Sequence, residues 1–486
     1  MKKSNFATPI VSYMRLIPYY TWTKGVSNFN KRSNRLSKQP WAQGVLLLIC
    51  VVAAMLLANL PFTKEWYEDF LQTGMTIHFQ SPDGHLDFAF PRDMTVEKFI
   101  NDILMVVFFF TVGLEIKREI AYGELSSVKK ALLPVIAALG GVIAPAVIYT
   151  IVNHGTGASS GWGIPTATDI AFAVCILSVL GDKVPVSLKV FLTALAIADD
   201  LVAILVVALF YGGQINMALL GIAFLVIILT LILRRIGEKR MAPYIILAIA
   251  VWILFYYSGI HATMSGVVMA FLIPSTPRYN RAYYVHKTRH YRQKLFEYDM
   301  VDEEQVFPNG PQRHLLRKLQ AVANGSMDMS YRVEHFLSPW VNFLIMPIFA
   351  LANAGVEISD PSYFNIFKFD PALGSVSMGI FLGLVLGKPI GITLFSFLAI
   401  KTKVGAMPEK ASWPMFFAVA CLGGIGFTMS IFVDTLSFGD LPADAMQHLR
   451  DAGKIAVLMG SIFAGILGSI LITFVNKIES KKKISE

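Results

Sequence analysis

Two consecutive acids, Asp199 and Asp200, lie near the middle of an apolar run that extends from Val190 to Phe210. The run is long enough to cross a lipid bilayer, which takes about 20 apolar residues in a helix. A carboxylate near the bilayer centre costs about 2.5–3.5 kcal/mol on insertion scales. Because packing gives no reason for two acids there, the pair predicts a binding site for something positive. The alternative is a pair that merely faces a polar bundle interior.

Composition indicates that the whole chain is a membrane protein. Apolar residues make up 55% of the sequence and charged residues 15%, and the mean hydropathy is +0.57, whereas soluble domains are about 25% charged. The three cysteines fall in three different apolar runs, so neither a disulfide framework nor a CxxC metal site is expected. We predict an all-α polytopic membrane domain over residues 41–475, between a cytoplasmic extension (1–40) and a cytoplasmic tail (476–486), with no cofactor.

Runs of about 20 apolar residues predict twelve transmembrane helices. The seventh and eighth are short, and the run Tyr256–Gly259 is the only turn between them. The predicted spans are 41–60, 97–116, 131–152, 164–180, 186–211, 216–233, 242–257, 259–273, 339–357, 375–400, 412–437 and 452–475.

The distribution of basic residues tests this count. With twelve spans and both termini inside, most of the 42 Lys and Arg residues fall in cytoplasmic segments, as the positive-inside rule requires. An error of one span early in the chain would remove this asymmetry. The net charge of +9 therefore reflects topology, and binding to nucleic acid is not needed to explain it.

Two extramembrane segments stand out. Residues 75–90 alternate on both sides of a Pro-Asp-Gly turn, which predicts a β-hairpin on the outer face. The hairpin would pack on the protein surface or pair with a second protomer in a homodimer. Segment 274–338 is a basic cytoplasmic insertion, and its end, Arg313 to Leu337, has the apolar spacing of a helix along the membrane surface. We favour a solvated loop attracted to anionic lipid over a regulatory partner site.

Two predicted spans are interrupted. Span 4 opens with GWGIPTATDI at residues 161–170, which includes Asp169, and span 11 contains CLGGIGFTMS at residues 421–430. Irregular backbone at membrane depth is tolerated only where protein buries it or where it lines a wet cavity. Two broken helices far apart in sequence are typical of a transporter with its ion site at their crossing. An acid near the positive helix ends and a base near the negative ends would balance the partial charges.

A base is available in span 10, where glycine recurs at every fourth position from Gly379 to Gly391. This spacing gives one flat helix face for close backbone contact. Lys388 follows one of these glycines at mid-span. A buried lysine needs a partner or a lowered pKa, and the nearest candidates are the two aspartates. Adjacent residues point about 100° apart on a helix, so one acid can pair with Lys388 while the other faces a cavity. The alternative is that Lys388 extends to a membrane surface.

Eight short motifs in the same order make the chain similar to the bacterial NhaA-type Na+/H+ antiporters from about residue 41 to 475. The N-terminal extension and residues 274–312 are larger than this resemblance explains. The motifs are Asn101–Met105, Gly113–Glu119, Ala167–Phe172, Ala194–Asp200, Ser258–Thr263, Asn353–Gly355, Gly387–Pro389 and Gly424–Ser430.

The resemblance implies an inverted-repeat fold in which spans 4 and 11 cross beside the ion site, in a bacterial inner membrane. It implies that Asp200 is the main Na+ ligand, that Asp199 completes the essential pair and that Lys388 is the partner of Asp199. Thr168 and Asp169 would support the site near the crossing. The expected activity is electrogenic exchange of Na+, and also of Li+, for H+, in which cation and protons compete for the same carboxylates.

A second cluster concerns the response to pH. Glu115, Arg118 and Glu119 lie on one helical face at the cytoplasmic end of span 2. From the residues alone, an ordinary solvated salt bridge at a helix end explains this cluster equally well. The family resemblance favours a pH-response region. His261, at the start of span 8, is also a candidate for pH response, although a structural histidine with a satisfied hydrogen bond is the more common case.

Other functional classes fit the residues less well. An intramembrane aspartyl protease also buries two acids, but these lie on different helices so that they can share a proton. In this chain the two acids are consecutive. His261 and Ser265 have the spacing of a dyad, but no nucleophile elbow or third group accompanies them. We therefore predict that the protein is not an enzyme. A sodium-coupled solute symporter of similar fold is the main alternative to an antiporter.

Overall fold

The structure, a computed structural model, describes residues 40–80, 87–90, 94–212, 215–299, 309–358, 365–367, 369, 373–439 and 441–485. Most of these residues are helical. Residues 1–39 of the predicted N-terminal extension and the Pro-Asp-Gly turn of the predicted hairpin lie outside them.

The long apolar runs of the sequence form long helices, as intrahelical hydrogen bonding requires where no water is available. In chain order the helices are α1 (Pro40–Asn59), α2 (Lys64–Gln72), α3 (Val96–Tyr122), α4 (Val128–Val152), α5 (Ile170–Leu180), α6 (Val186–Phe210), α7 (Met217–Ile236), α8 (Met241–Ser258), α9 (Thr263–Leu272), α10 (Arg281–Asp299), α11 (Gly310–Ser326), α12 (Met329–Asn353), α13 (Val376–Lys401), α14 (Trp413–Leu422), α15 (Phe427–Leu436) and α16 (Ala443–Ser485). Short 3-10 helices cover Glu124–Ser126, Gly157–Thr166 and Gly181–Lys183.

The described residues do not confirm the predicted count of twelve membrane spans. The described residues contain nine helices long and apolar enough to cross a membrane, or up to eleven if each of two bent pairs counts as one span. The predicted span 259–273 corresponds to α9, which has ten residues and is too short to cross alone. It begins late because Gly259, in the left-handed conformation with φ +85°, ends α8 and three further residues precede α9. The count of twelve therefore stays a prediction.

Both predicted interruptions are confirmed. The 3-10 helix Gly157–Thr166 and the helical segment Ile170–Lys183 meet at 41°, and α14 and α15 meet at 50°. The first break contains Ala167, Thr168 and Asp169, and the backbone is extended at Ala167 and Asp169. Pro165, two residues before the break, disfavours a regular α-helix through this region. The second break spans Gly423–Gly426. Each broken span thus has two half-helices whose ends lie inside the protein.

The glycine face of α13 packs against α4 as its spacing predicts. A side chain at Gly391 would place Cβ 2.1 Å from the Gly140 carbonyl oxygen, and one at Gly387 would place it 2.9 Å from Pro145 Cα. Residues Gly383–Gly387 form a π-helical turn directly before Lys388. Such turns insert an extra residue into a helix and often occur at functional sites. Here the π-helical turn directly precedes Lys388, which follows Gly387 and so points away from the glycine face of α13.

Helix α6, which carries the aspartate pair, lies in the centre of the molecule, with 72% of its most apolar segment buried. By contrast, α7 and α8 have 11% and 22% buried and lie at the periphery. Helices α3 and α9 approach closely because Gly266 faces the Val106 carbonyl oxygen, where a Cβ would come within 2.4 Å. The amides of Asn101 and Asn353 exchange hydrogen bonds of 3.0 and 2.9 Å, which join α3 to the end of α12.

Outside the apolar helices, two strands pair antiparallel: β1 (Ile77–Gln80) and β2 (Asp87–Phe90), with Ile77 opposite Phe90. Segment 274–338, which was predicted to be a cytoplasmic insertion, contains α10 and α11. The segment Arg313–Leu337, predicted to be helical and to lie along the membrane surface, is helical but divided between α11 and α12. Asp328 accepts a hydrogen bond from the Tyr331 backbone and caps a new helix, so residues from Met329 onward belong to the span-forming helix α12.

Candidate functional site

The two helix breaks meet inside the protein. The Asp169 backbone N–H donates to the Ile425 carbonyl at 2.6 Å, and the Thr168 hydroxyl donates to the Gly423 carbonyl at 2.8 Å. A Cβ on Gly424 would come within 2.3 Å of the Leu384 carbonyl oxygen. The glycines of the second break thus allow its backbone to lie against the backbone of α13, where a side chain would collide with the Leu384 carbonyl oxygen.

Asp169 lies between the amino-terminal ends of two half-helices. Its Oδ1 accepts from the Phe172 N–H at 3.2 Å and caps α5. Its Oδ2 accepts from the Thr428 N–H at 3.1 Å in the first turn of α15, and also from the Thr428 hydroxyl. Helix amino termini carry partial positive charge, so a fully buried carboxylate finds both hydrogen bonds and compensating charge there.

Lys388 connects the crossing to the aspartate pair. Its ammonium donates to the Asp199 carboxylate and to the Thr168 hydroxyl at 2.6 Å. Thr168 in turn donates to the Gly423 carbonyl at the carboxyl end of α14. Lys388 has no solvent exposure, which excludes the alternative that it extends to a membrane surface. A buried cation and a buried anion that bond each other avoid most of the penalty of an isolated charge.

Asp200 lies next to this pair, also buried, at 3% exposure. Lys388, Asp199 and Asp169 are close enough to Asp200 to act on it electrostatically. Asp199 Oδ1 and Asp200 Oδ1 are both buried without a hydrogen-bond partner. Unsatisfied buried carboxylate oxygens are rare in folded proteins. Two of them on adjacent residues form a set of hard oxygen donors suited to a small cation.

The second predicted cluster is larger than the sequence showed. Arg118 contacts Glu115 at 3.6 Å and Glu119 at 3.1 Å, and it also pairs with Glu334 on α12. Glu119 accepts from the Glu124 backbone N–H at 3.1 Å. Glu334 is the most buried member, with 7% of its side chain exposed, against 38% for Arg118. One arginine therefore links three glutamates on two helices.

His261 does not join either cluster. Its Nε2 lies 2.7 Å from the backbone carbonyl oxygen of Tyr211, so it ties the start of α9 to the end of α6. The Ser265 hydroxyl donates to the Ala262 carbonyl at 2.6 Å. Neither side chain bonds the other, and the spacing of a hydrolase dyad has no counterpart in the geometry.

Two residues of these sites were missed from the sequence. Thr428 is in the glycine-rich motif of span 11, but only the crossing shows that its hydroxyl reaches Asp169. Glu334 lies 216 residues from Arg118, in a segment that the sequence assigned to the membrane surface. Its apolar neighbours Val333 and Leu337 were the available sign that this segment packs into the bundle.

A bundle of apolar helices in which two broken helices cross beside buried charged residues defines a multi-pass membrane transporter. The sequence model of the family Na+/H+ antiporter 1 matches residues 34–472, and the chain belongs to this family. The family consists of transporters rather than enzymes.

Several bacterial proteins named as Na(+)/H(+) antiporters are similar to this chain over nearly their whole length. The chain is 39% identical to a Na(+)/H(+) antiporter NhaA of Sulfurimonas denitrificans, over 94% of this chain and 99% of that protein. It is 41% identical to one of Oleidesulfovibrio alaskensis, over 88% and 91%. It is 39% identical to one of Helicobacter pylori strain P12, over 94% and 100%. Among solved structures, the sodium proton antiporter MjNhaP1 of Methanocaldococcus jannaschii has a TM-score of 0.47 at 13% identity, over 96% of this chain and 98% of that one.

Proposed function

We propose that this protein exchanges cytoplasmic Na+, and also Li+, for external H+ by competition of the cation and protons for Asp199 and Asp200. The observation that carries the proposal is the pair of unpartnered, buried carboxylate oxygens beside the crossing. A cation needs such oxygens as ligands, whereas protons need the same oxygens as bases. Because neither ligand binds well while the other is present, alternating access to the site couples their movements in opposite directions.

Asp200 is the main cation ligand in this proposal, and Asp199 alternates between two partners. With Asp199 deprotonated, Lys388 neutralises it. When a cation binds between the acids, Asp199 can turn its charge toward that cation. Protonation of Asp199 removes the ion pair and leaves Lys388 to its bond with Thr168. Thr168 and Asp169 hold the crossing in place, as their backbone and side-chain bonds support. Exchange is electrogenic, with more protons entering than sodium ions leaving.

Charge distribution and family membership support the following proposed arrangement in the membrane. We place the protein in the bacterial inner membrane with twelve spans, an inverted repeat and both termini in the cytoplasm. The Glu115–Arg118–Glu119 cluster then lies at the cytoplasmic face, where it sets the pH response. The hairpin β1–β2 lies on the outer face, where its strand edges offer a contact for a second protomer.

A symporter for an organic solute is not favoured, because the family and the relatives described above are designated as Na+/H+ antiporters. An experiment with the protein reconstituted in vesicles distinguishes an antiporter from a symporter. An antiporter moves protons when Na+ alone is added, whereas a symporter needs its organic substrate before Na+ moves.

The test uses purified protein in vesicles with an internal pH dye. Addition of Na+ should release protons from acid-loaded vesicles across pH 6.5–9. Asp200→Asn should abolish this release while the protein still folds and inserts. Asp182→Asn, at an exposed position, is the matched control and should behave as wild type. Sodium-dependent proton release that survives in Asp200→Asn would overturn the site assignment.

A further inference from the structure

A fourth buried aspartate, besides Asp169, Asp199 and Asp200, lies away from the crossing. Asp434 is in the last turn of α15, the half-helix that follows the break in span 11. It has no solvent exposure, and neither of its carboxylate oxygens has a hydrogen-bond partner. A buried carboxylate without hydrogen bonds is strongly disfavoured. The carboxyl end of a helix is also the unfavourable end for a negative charge. Fold stability therefore does not explain this acid.

Charged groups on α16 surround Asp434 without bonding it. Lys454, Arg450 and Asp451 act on it electrostatically. Arg450 donates to the carbonyls of Thr435 and Ser437 and so binds the end of α15. Gly453 faces the acid directly, and a Cβ there would come within 2.2 Å of Asp434 Oδ1.

Two tyrosines among the described residues, Tyr149 and Tyr211, also interact electrostatically with Asp434. Tyr149 donates to the Ala158 carbonyl and Tyr211 to the Ser160 carbonyl, each at 2.8 Å. The 3-10 helix Gly157–Thr166 and the helix segment Met346–Asn353, which also pack on α15, contain no titratable residue.

Polar atoms continue from Asp434 to the crossing. Ser430 lies one turn earlier on the same helix face, is fully buried, and its hydroxyl oxygen also has no partner. One turn before it, the Gly426 N–H donates to the Ser461 hydroxyl oxygen at 3.3 Å. A Cβ on Gly426 would come within 2.3 Å of Ser430 Oγ. Asp434, Ser430 and Gly426 thus form a polar strip between α15 and α16 that ends at the second helix break.

We propose that Asp434 is a second proton-binding residue, which takes up protons from the outer side and delivers them along Ser430 to the crossing. The inference rests on the proposed antiport and on its topology, in which the end of α15 faces outward. The ligand is a proton rather than a metal cation, because a proton binds a single carboxylate oxygen, whereas a hard metal cation needs several oxygen ligands and the neighbouring side chains of Lys454 and Arg450 offer none. A purely structural ion pair would place the Lys454 ammonium against a carboxylate oxygen, and here both oxygens are unpartnered.

The experiment measures exchange in oriented vesicles while only the pH on the outer side of the protein varies. Asp434→Asn should move the outer pH at which exchange is half-maximal by about half a unit or more, roughly threefold in proton concentration. The Na+ concentration for half-maximal exchange from the cytoplasmic side should stay the same. Asp444→Asn removes an equal charge at an exposed position in the first turn of α16 and should leave the outer pH midpoint unchanged.

A double variant separates proton binding from charge balance. Asp434→Asn combined with Lys454→Met restores neutrality, so a structural ion pair predicts a return to the outer pH curve of the wild type. Proton binding by Asp434 predicts that the curve stays shifted, and a wild-type curve would overturn the inference. If the single variant Asp434→Asn does not fold, the double variant is measured in its place and tested against the same two outcomes. Absence of Na+-driven proton movement in the wild type would instead contradict the antiport itself.

Discussion

Lys388 and Asp199 form an ion pair from which water is excluded, with 0% and 2% of their side chains exposed. Lys388 comes from α13 and Asp199 from α6, so the pair joins the glycine-rich helix to the central helix. One carboxylate oxygen of Asp199 and one of the neighbouring Asp200 have no hydrogen-bond partner, but Lys388 forms its ion pair with Asp199. The two adjacent acids therefore have different surroundings, because Asp199 has a direct counter-charge and Asp200 does not. This asymmetry assigns them different roles in the proposed exchange.

We expect Lys388→Ala to lower stability substantially, because it leaves Asp199 buried without its counter-charge. Removal of one partner of a buried ion pair costs about 3–5 kcal/mol. The melting temperature of the purified protein should fall, and Lys388→Arg or Lys388→His should retain partial exchange with a shifted pH profile.

A double-mutant cycle tests the coupling of this pair. Asp199→Asn with Lys388→Met removes both charges, and its loss of stability should be smaller than the sum of the two single losses. Strict additivity, or an unchanged melting temperature and unchanged transport in Lys388→Ala, would rule out the pairing.

The Thr428 hydroxyl offers a narrower test of the crossing. Thr428→Val keeps the shape and the backbone N–H to Asp169 but removes the hydroxyl donor. Loss of a hydrogen bond to a buried charged group costs about 1.5–3 kcal/mol. We expect a lower melting temperature and a raised Na+ concentration for half-maximal exchange. Thr428→Ser keeps the donor and should remain near wild type, so equal behaviour of the two variants would contradict a role for this bond.

The sequence predicted the residues that charge and periodicity make conspicuous. An aspartate pair or a lysine in an apolar run has few structural explanations, and glycines or proline within a span mark a break. It did not predict Glu334 or Asp434. Glu334 pairs with a residue on another helix, and no local pattern records that. Asp434 lies in the last turn of a half-helix, and from the sequence alone it looks like an ordinary exposed acid at a helix end. Only the structure shows that Gly453 packs against it and that it is buried.

Close backbone contact at the crossing predicts that Gly424→Ala is severely destabilising. Its Cβ would lie 2.3 Å from the Leu384 carbonyl oxygen, a distance that requires the broken helix and α13 to separate. Gly221→Ala is the matched control, because Gly221 is within α7 and has nothing within 4 Å of the added Cβ. That substitution should be neutral or stabilising by about 0.4–1 kcal/mol. Thermal melting in detergent compares the two, and similar melting temperatures would show that the crossing tolerates a side chain.

The Arg118 cluster predicts a pH effect that depends on burial. If this cluster sets the pH response, Glu119→Gln should shift the activation midpoint by a fraction of a pH unit. Glu334→Gln should shift it more, since only 7% of Glu334 is exposed, against 17% of Glu119, and a buried charge acts through a lower dielectric. The maximal rate and the Na+ dependence at the optimum should change little, because Glu119 and Glu334, unlike Glu115, are not among the charged groups that act on Asp200.

Ionic strength separates the members of this cluster. Salt screens exposed charges more than buried ones, so the shift in Glu119→Gln should shrink at high salt, whereas the shift in Glu334→Gln should persist. Glu124→Gln is the control. Glu124 forms an exposed salt bridge with Lys130 at 3.7 Å, the kind that contributes about 0–1 kcal/mol. Exchange is measured from pH 6.5 to 9 at two salt concentrations. If all three variants follow the wild-type curve, the cluster is a helix-end salt bridge that happens to reach a third glutamate, and the pH response arises elsewhere.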